Sequence, residues 1–299
     1  MRIALFGANG QLGSDLVTLA GRRGLDLVAV TRAQVDAADP AAGFDGLDFD
    51  IAINCVAVTR VDDCEKDPGP AVAVNAHFAG RLARACAARG ARLVQVSTDY
   101  VYGGQAQREP LSEDVGRAPV NVYGATKALG EDLARLEHDD VIVARVASLF
   151  GVAGASGKGG NFVETMLRLA KEKGRLTVVA DQVMSPTASL DAGEAILDLV
   201  AAKAPAGDYH VVNSGIASWC AFADAIIARA GVAAEVAPIP TSQFPTPARR
   251  PPYSALSNAK LVAAIGRPMP DWADALDRYL AAKGHIRAAA VKISSKSSR

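Results

Sequence analysis

Two short stretches carry the residue types that can move a proton onto a carbonyl oxygen: Ser97-Thr98-Asp99-Tyr100 and Tyr123-Gly124-Ala125-Thr126-Lys127. Tyr123 and Lys127 are four apart, so on a helix both side chains leave one face, with the lysine a turn beyond the tyrosine. An ammonium beside a phenol favours the phenolate and draws its pKa toward neutrality, which suits a proton donor or acceptor for a carbonyl/alcohol pair. The Thr98 hydroxyl is placed to share the substrate oxygen. A tyrosine one turn from a lysine is also an ordinary pairing on a solvated helix, so its weight comes from the elements around it.

The strongest of these opens the chain. Arg2 to Phe6 is an apolar run of strand length, followed by Gly7-Ala8-Asn9-Gly10-Gln11-Leu12-Gly13 and a helical pattern through Arg22. In a strand, glycine-rich turn and helix of this kind, the glycines let the backbone turn sharply against a pyrophosphate, whose charge meets the amides of the helix N-terminus. Gly7, Asn9, Gly10, Gln11 and Leu12 are therefore candidates for a dinucleotide. Arg92 to Val96 reads as a strand that delivers Ser97 and Thr98 at its carboxyl end, where open parallel sheets bind ligands. Leu25–Val30, Asp50–Val58 and Val141–Val146 read as further strands, Ala71–Arg89 as one long helix, and Tyr123 as the start of a helix to about Glu137. Gly103 to Asn121 lacks periodicity and reads as a long loop over the site.

The expected fold is α/β, a Rossmann-like doubly wound parallel sheet with a smaller C-terminal substrate-binding lobe. Residues 1–147, with interleaved later segments, would form the dinucleotide-binding domain and 148–283 mainly the lobe. Residues 284–299 read as a disordered tail. The chain has 299 residues, half of them apolar, with 32 basic and 32 acidic side chains. That length supports a sizeable core, and the balanced charge gives no case for nucleic acid or a membrane surface as partner. No apolar run approaches a membrane span, and the first strand begins at once, so a cytoplasmic protein is expected. Four cysteines, at 55, 64, 86 and 220, and four histidines are scattered without metal-ligand spacing, so no metal site is expected.

Taken in order, these motifs resemble a known family. The Gly-x-x-Gly-x-x-Gly turn, Thr98 and the Tyr123/Lys127 pair are similar to an extended short-chain dehydrogenase/reductase. Five further stretches narrow the resemblance to the dTDP-4-dehydrorhamnose reductase family: Ser-Thr-Asp-Tyr-Val-Tyr at 97–102, Asn-Val-Tyr-Gly-Ala-Thr-Lys at 121–127, Asn161-Phe162-Val163, Asp181-Gln182 with Ser185-Pro186-Thr187, and Ala248-Arg249-Arg250-Pro251. The match runs from about residue 1 to 280.

The resemblance implies NADPH- or NADH-dependent reduction of the 4-keto group of a nucleotide-linked 6-deoxysugar, with room for a homodimer. Thr98, Tyr123 and Lys127 would be catalytic, the last two also touching the cofactor. Cys55, Val56 and Ala57 would line the cofactor, and Asn75 would steady the catalytic region. Arg32 leans toward a 2′-phosphate and hence NADPH, whereas Asp36 in the next loop keeps NADH open. Asp99, Leu149, Asn161, Gln182 and Arg250 would hold substrate, since guanidinium groups on the stiff, proline-rich segment 241–252 suit a diphosphate. The acids at 62–67 read as a solvated loop, and Trp219 and Trp272 as core packing. Where the family places a tryptophan against the sugar, this chain has Ser148-Leu149-Phe150. A nucleotide-sugar epimerase that retains NAD and a non-catalytic dinucleotide-binding subunit stay open as alternatives.

Overall fold

The computed structural model describes residues 1–39, 41, 43–154 and 160–287. Strand and helix alternate through the first half: β1 (Arg2–Phe6), α1 (Gln11–Arg22), β2 (Asp26–Val30), β3 (Ile51–Asn54), α2 (Val61–Lys66), α3 (Pro68–Ala71), α4 (Phe78–Arg89), β4 (Arg92–Thr98), α5 (Val122–Glu137) and β5 (Val141–Val146). The second half adds β6 (Leu149–Phe150), α6 (Phe162–Lys173), β7 (Arg175–Val179), β8 (Val183–Met184), β9 (Thr187–Ala188), α7 (Ser189–Ala201) and β10 (Gly207–His210). It ends with β11 (Ala217–Ser218), α8 (Trp219–Arg229), β12 (Glu235–Ile239), α9 (Ala259–Ile265) and α10 (Trp272–Ala282).

β1 is buried on both faces from Ile3 to Phe6. Ile3 and Leu5 join the core under α1, α7 and α9, while Ala4 and Phe6 join Phe78 and Leu82 of α4 on the other side. The six-stranded sheet runs β2-β1-β3-β4-β5-β10, every pair parallel. The chain leaves β1 for the edge at β2 and returns across it to β3, which makes the carboxyl ends of β1 and β3 the switch point where such sheets hold ligands. A third core, in which Val163, Met166, Phe222, Ile226, Leu276 and Tyr279 meet, belongs to the lobe of α6, α8 and α10 with the paired β7 and β12. β10, α7 and α9 return to the sheet from beyond residue 148. Among the described residues no helix is long and apolar enough to cross a membrane. The predicted tail is described only as far as residue 287; 288–299 lie outside the described residues.

Three expected elements differ. Ala71–Arg89 is not one helix, because Val72–His77 forms a π-helical turn between α3 and α4. There Asn75 accepts from Val58 N at 2.8 Å and donates to Val58 O and Thr126 Oγ1, both at 3.1 Å, tying the turn to the β3 loop and to α5. The strand expected over 50–58 stops pairing as a ladder at Asn54, whose side chain accepts from Val56 N and turns the backbone out. Residues 103–121 are not among those that line the cleft between the start of α1 and Tyr123. They pack beside 249–257 instead, through Leu111 N to Ala255 O at 2.9 Å and Asn121 Nδ2 to Arg249 O at 2.9 Å.

Candidate active site

The start of α1 is built for a close approach. Gly7 has φ +83°, and a Cβ there would lie 3.0 Å from Cys55 C and Val56 N. At Gly13 a Cβ would meet Gly7 O at 2.2 Å, so the first helical turn rests directly on the glycine turn. Gly10 caps α1 with no side-chain bond, and no acid lies in the first turn. The positive end of the helix therefore opens into a cleft of about 390 Å³ lined by Gly10, Gln11, Leu12 and Gly13. Gln11 Oε1 is buried and finds no hydrogen-bond partner among the described residues. Free amides, a glycine cradle and an unpaired amide oxygen together fit a dinucleotide.

Across the cleft, β4 ends at Thr98, which caps a 3-10 turn (Asp99–Val101) by accepting from Tyr100 N at 3.2 Å. Asn121 caps α5 by accepting from Gly124 N at 2.8 Å, placing Tyr123 in the first turn. A Cβ on Gly124 would sit 2.1 Å from Tyr100 O, so glycine lets α5 lie against that turn. The Tyr123 phenol and Thr98 hydroxyl line the cleft together, and the Tyr100 ring meets Tyr123 edge-on at 5.7 Å. Lys127, 3% exposed, donates from Nζ to Val96 O at 2.7 Å. All three side chains line the same cleft as the start of α1.

Protonation departs from the sequence expectation. Burial pushes the Tyr123 phenol well above its ordinary value, reinforced by the Asp99 charge and opposed by the Thr98 hydroxyl. Burial also lowers Lys127 to about 8 against the pull of Glu131. The lysine therefore does not bring the tyrosine to neutrality. The tyrosine is held as a phenol, which is the form that can give a proton. Asp99, buried and accepting from Ser254 Oγ at 2.6 Å and Thr98 Oγ1 at 3.1 Å, is pushed up to about 6 by burial. Cys55 is a half-buried thiol raised to about 12 by desolvation and stays neutral.

Of the remaining predicted residues, Cys55, Ala57, Asp99 and Leu149 line the cleft. Gly7, Asn9 and Val56 are not among the lining residues: Gly7 rests against the Val56 backbone, and Asn9 lies in the same turn. Asn75 stands behind, joining the β3 loop to α5. Arg32 and Asp36 are not brought to this cleft: they pair with each other at 3.3 Å beyond β2, with the arginine side chain 81% exposed. Asn161 does not face the cleft either. It caps α6 and donates to Gly151 O and Tyr279 Oη, both at 3.0 Å, so its amide is spent on the fold. Gln182 donates to Thr241 Oγ1 at 3.0 Å and borders a narrow gap with Asp99, Tyr100, Ser148 and Trp219. Arg250 lines a neighbouring cavity of about 320 Å³, where its Nη1 is buried without a partner among the described residues.

Several site residues escaped the sequence reading. Asp62, expected in a solvated loop, is in α2 and accepts from Arg250 Nη2 at 2.9 Å and from Ala248 N at 3.1 Å. Trp219, expected only in the core, packs on Phe162 with ring centroids 4.7 Å apart and lines the cleft with it. Ser148, in the left-handed region at φ +44°, forms the wall beside Leu149. Gly13 was the one readable omission, being the third glycine of the turn.

A parallel sheet with a glycine cradle at its switch point, and a threonine, tyrosine and lysine set across the same cleft, define a dinucleotide-dependent oxidoreductase of the extended short-chain dehydrogenase/reductase class. Comparison with known proteins narrows this. The chain belongs to the family described as RmlD substrate binding domain, whose model matches residues 1–284. It is 40% identical over 286 residues to dTDP-4-dehydrorhamnose reductase from Mycobacterium tuberculosis (strain H37Rv), covering 94% of this chain and 93% of the relative. Among solved structures, a dTDP-4-dehydrorhamnose reductase from Clostridium acetobutylicum superposes with a TM-score of 0.88 at 34% identity, covering 95% of this chain and 100% of that one. One from Bacillus anthracis in complex with NADP superposes at 0.86 and 35% identity, covering 93% and 98%.

Proposed function

We propose that the chain is an NAD(P)H-dependent oxidoreductase that reduces the 4-keto group of a nucleotide-linked 6-deoxysugar, converting dTDP-4-dehydro-L-rhamnose to dTDP-L-rhamnose. The observation that carries this reading is the convergence of Thr98, Tyr123 and Lys127 on the cleft into which the start of α1 opens. Residues 1–147 with β10, α7 and α9 form the dinucleotide-binding unit in this reading, and the rest of 148–283 the substrate lobe. The protein acts in the cytoplasm, where its four free thiols stay reduced.

Gly7, Asn9, Gly10, Gln11 and Leu12 hold the pyrophosphate side of the dinucleotide, and Cys55, Val56 and Ala57 border it. A reduced nicotinamide held by these residues would supply the hydride for the carbonyl carbon. Tyr123 gives its proton to the carbonyl oxygen as negative charge builds, and Thr98, once its hydroxyl turns from Asp99 Oδ1, donates a second hydrogen bond to that oxygen. Lys127 contributes positive charge beneath the phenol at the same moment. NADPH is the favoured cofactor, because the exposed Arg32 suits a 2′-phosphate and the similar B. anthracis protein is in complex with NADP. Asp36 is the group that would hold NADH. Asp99 and Gln182 reach the sugar, Leu149 and Trp219 cover its apolar side, and Arg250 takes the diphosphate. Asn161 is left out of the substrate set.

Two expected results arise here. Activity needs Lys127 as the ammonium ion, so with its pKa near 8 the rate is full below that value and falls as pH rises through it. A pH profile of kcat/KM at saturating cofactor checks this. Arg250→Met removes a guanidinium whose bond to a charged group is worth about 1.5–3 kcal/mol, so substrate KM should rise about 10- to 150-fold with kcat little changed. Initial rates against substrate concentration separate the two parameters.

The reading is tested by supplying dTDP-4-keto-6-deoxysugars with each reduced cofactor and following nicotinamide absorbance. Oxidation in step with sugar reduction is expected. No consumption with any sugar overturns the reading in favour of a dinucleotide-binding subunit.

A further inference from the structure

Glu131 is wholly buried and lines neither the cleft nor the cavity at Arg250. It lies on α5 one turn beyond Lys127 and two beyond Tyr123, so the three side chains form one stripe on the helix face that rests on the ends of β4 and β5. Consecutive residues of β4 hold the two charged members. Val96 O accepts from Lys127 Nζ, and Ser97 Oγ donates to Glu131 Oε1 at 2.5 Å. From β5, Arg145 is 1% exposed and donates to both carboxylate oxygens, from Nε at 2.9 Å and Nη2 at 2.7 Å. Arg117, from the loop before α5, adds a contact at 3.2 Å, and Arg135 lies 3.8 Å away on the next turn. Behind Arg145 stand Asp208 of β10 and the Tyr102 hydroxyl, each 2.7 Å from it, with His210 on Tyr102 at 3.0 Å.

Burial works to raise the Glu131 carboxyl, but the Arg145 hydrogen bonds and charge win and hold it below its ordinary value. It is thus a fixed negative charge. His210, driven down to about 3 by burial, adds no positive charge. The titratable groups that face Lys127 are Cys55 from the end of β3, a neutral thiol, and Glu131. Tyr123, on the same helix, is a phenol. Glu131 is therefore the charge that opposes the desolvation of the lysine. Buried ion pairs add little net stability compared with apolar side chains of the same volume, which weakens a purely structural account of a carboxylate sunk here.

We propose that Glu131 is a positioning residue for the reduction: a buried carboxylate, locked by Arg145 and Ser97, that holds Lys127 as an ammonium ion beside Tyr123. The consequence for turnover rests on the reductase reading, whereas the coupling between Glu131 and Lys127 does not.

The test pairs a pH profile of kcat/KM with an NMR titration of the ε-carbon of Lys127, assigned by its loss in Lys127→Arg. In Glu131→Gln, the alkaline limb and the lysine titration are both expected to move down by about one to two pH units. Asp208→Asn takes a carboxylate from the same Arg145 outside the stripe and should leave both within a few tenths of a unit of wild type. Should Glu131→Gln fail to fold, Glu131→Asp carries the test: it keeps the charge but draws it back by one methylene, so both should move the same way by less. A lysine titration that stays put in the Glu131 variant, or moves equally in Asp208→Asn, overturns the proposal. Wild type that reduces no keto-sugar sinks the reductase reading alone, because the NMR titration still decides the part played by Glu131.

Discussion

Tyr123→Phe is expected to lower kcat for ketone reduction by about 10²- to 10⁴-fold, the usual worth of a positioned general acid. Cofactor affinity should change little, because the cradle at Gly7 to Gly13 is untouched. Phenylalanine keeps the ring that meets Tyr100 edge-on and loses only the hydroxyl. No donor with the right reach replaces it. Thr98 has one proton and is hydrogen-bonded to Asp99, while the Lys127 ammonium is turned to Val96 O. Because burial keeps the phenol protonated, the loss should be much the same from pH 6 to 8. Single-turnover rates with NADPH, beside cofactor binding measured by fluorescence, separate a chemical defect from a binding one.

Gly124→Ala is expected to have the second-largest effect, about 10²-fold in kcat, without altering any group that touches substrate. The added methyl would lie 2.1 Å from Tyr100 O and 2.9 Å from its carbonyl carbon, both backbone atoms that cannot swing aside. The start of α5 must then lift off the 3-10 turn, carrying Tyr123 away from Thr98 and loosening the Asn121 cap. Overpacking of this kind also costs about 1–3 kcal/mol of stability. Gly21→Ala is the control: its Cβ meets nothing within 4 Å, so it should leave kcat alone and match or exceed wild-type stability. Thermal melts and steady-state rates on both variants check the pair.

Much of this site was legible because local signals agreed. The apolar run of β1, the glycine spacing and the helical pattern of α1 each demand the same strand-turn-helix, and Tyr123 and Lys127 follow from helix period alone. What stayed hidden depends on distant partners. Asn161 at a helix start reads alike as a cap or as a ligand, and only Gly151 and Tyr279 show that its amide is spent. Asp62 has the look of a loop acid because its partner Arg250 is far along the chain. Glu131 four residues after Lys127 suggests a solvated helical pair until β5 brings Arg145 over it. The π-helical turn at 72–77 is invisible in an alanine-rich stretch that holds no proline between Ala71 and Arg89 to mark a break. Burial also reversed one expectation. Spacing alone suggests that Lys127 acidifies Tyr123, yet burial raises the phenol and lowers the lysine.

The central claim is that this cleft reduces a sugar ketone with the proton coming from Tyr123. It is tested most directly with NADPH deuterated at the transferable position of the nicotinamide and dTDP-4-dehydro-L-rhamnose, with the product read by NMR and mass spectrometry. One deuterium at C4 of the sugar per cofactor oxidised, absent with Tyr123→Phe on the same timescale, is the predicted result. Product free of deuterium, or label reaching C4 undiminished in the Tyr123→Phe variant, would contradict it.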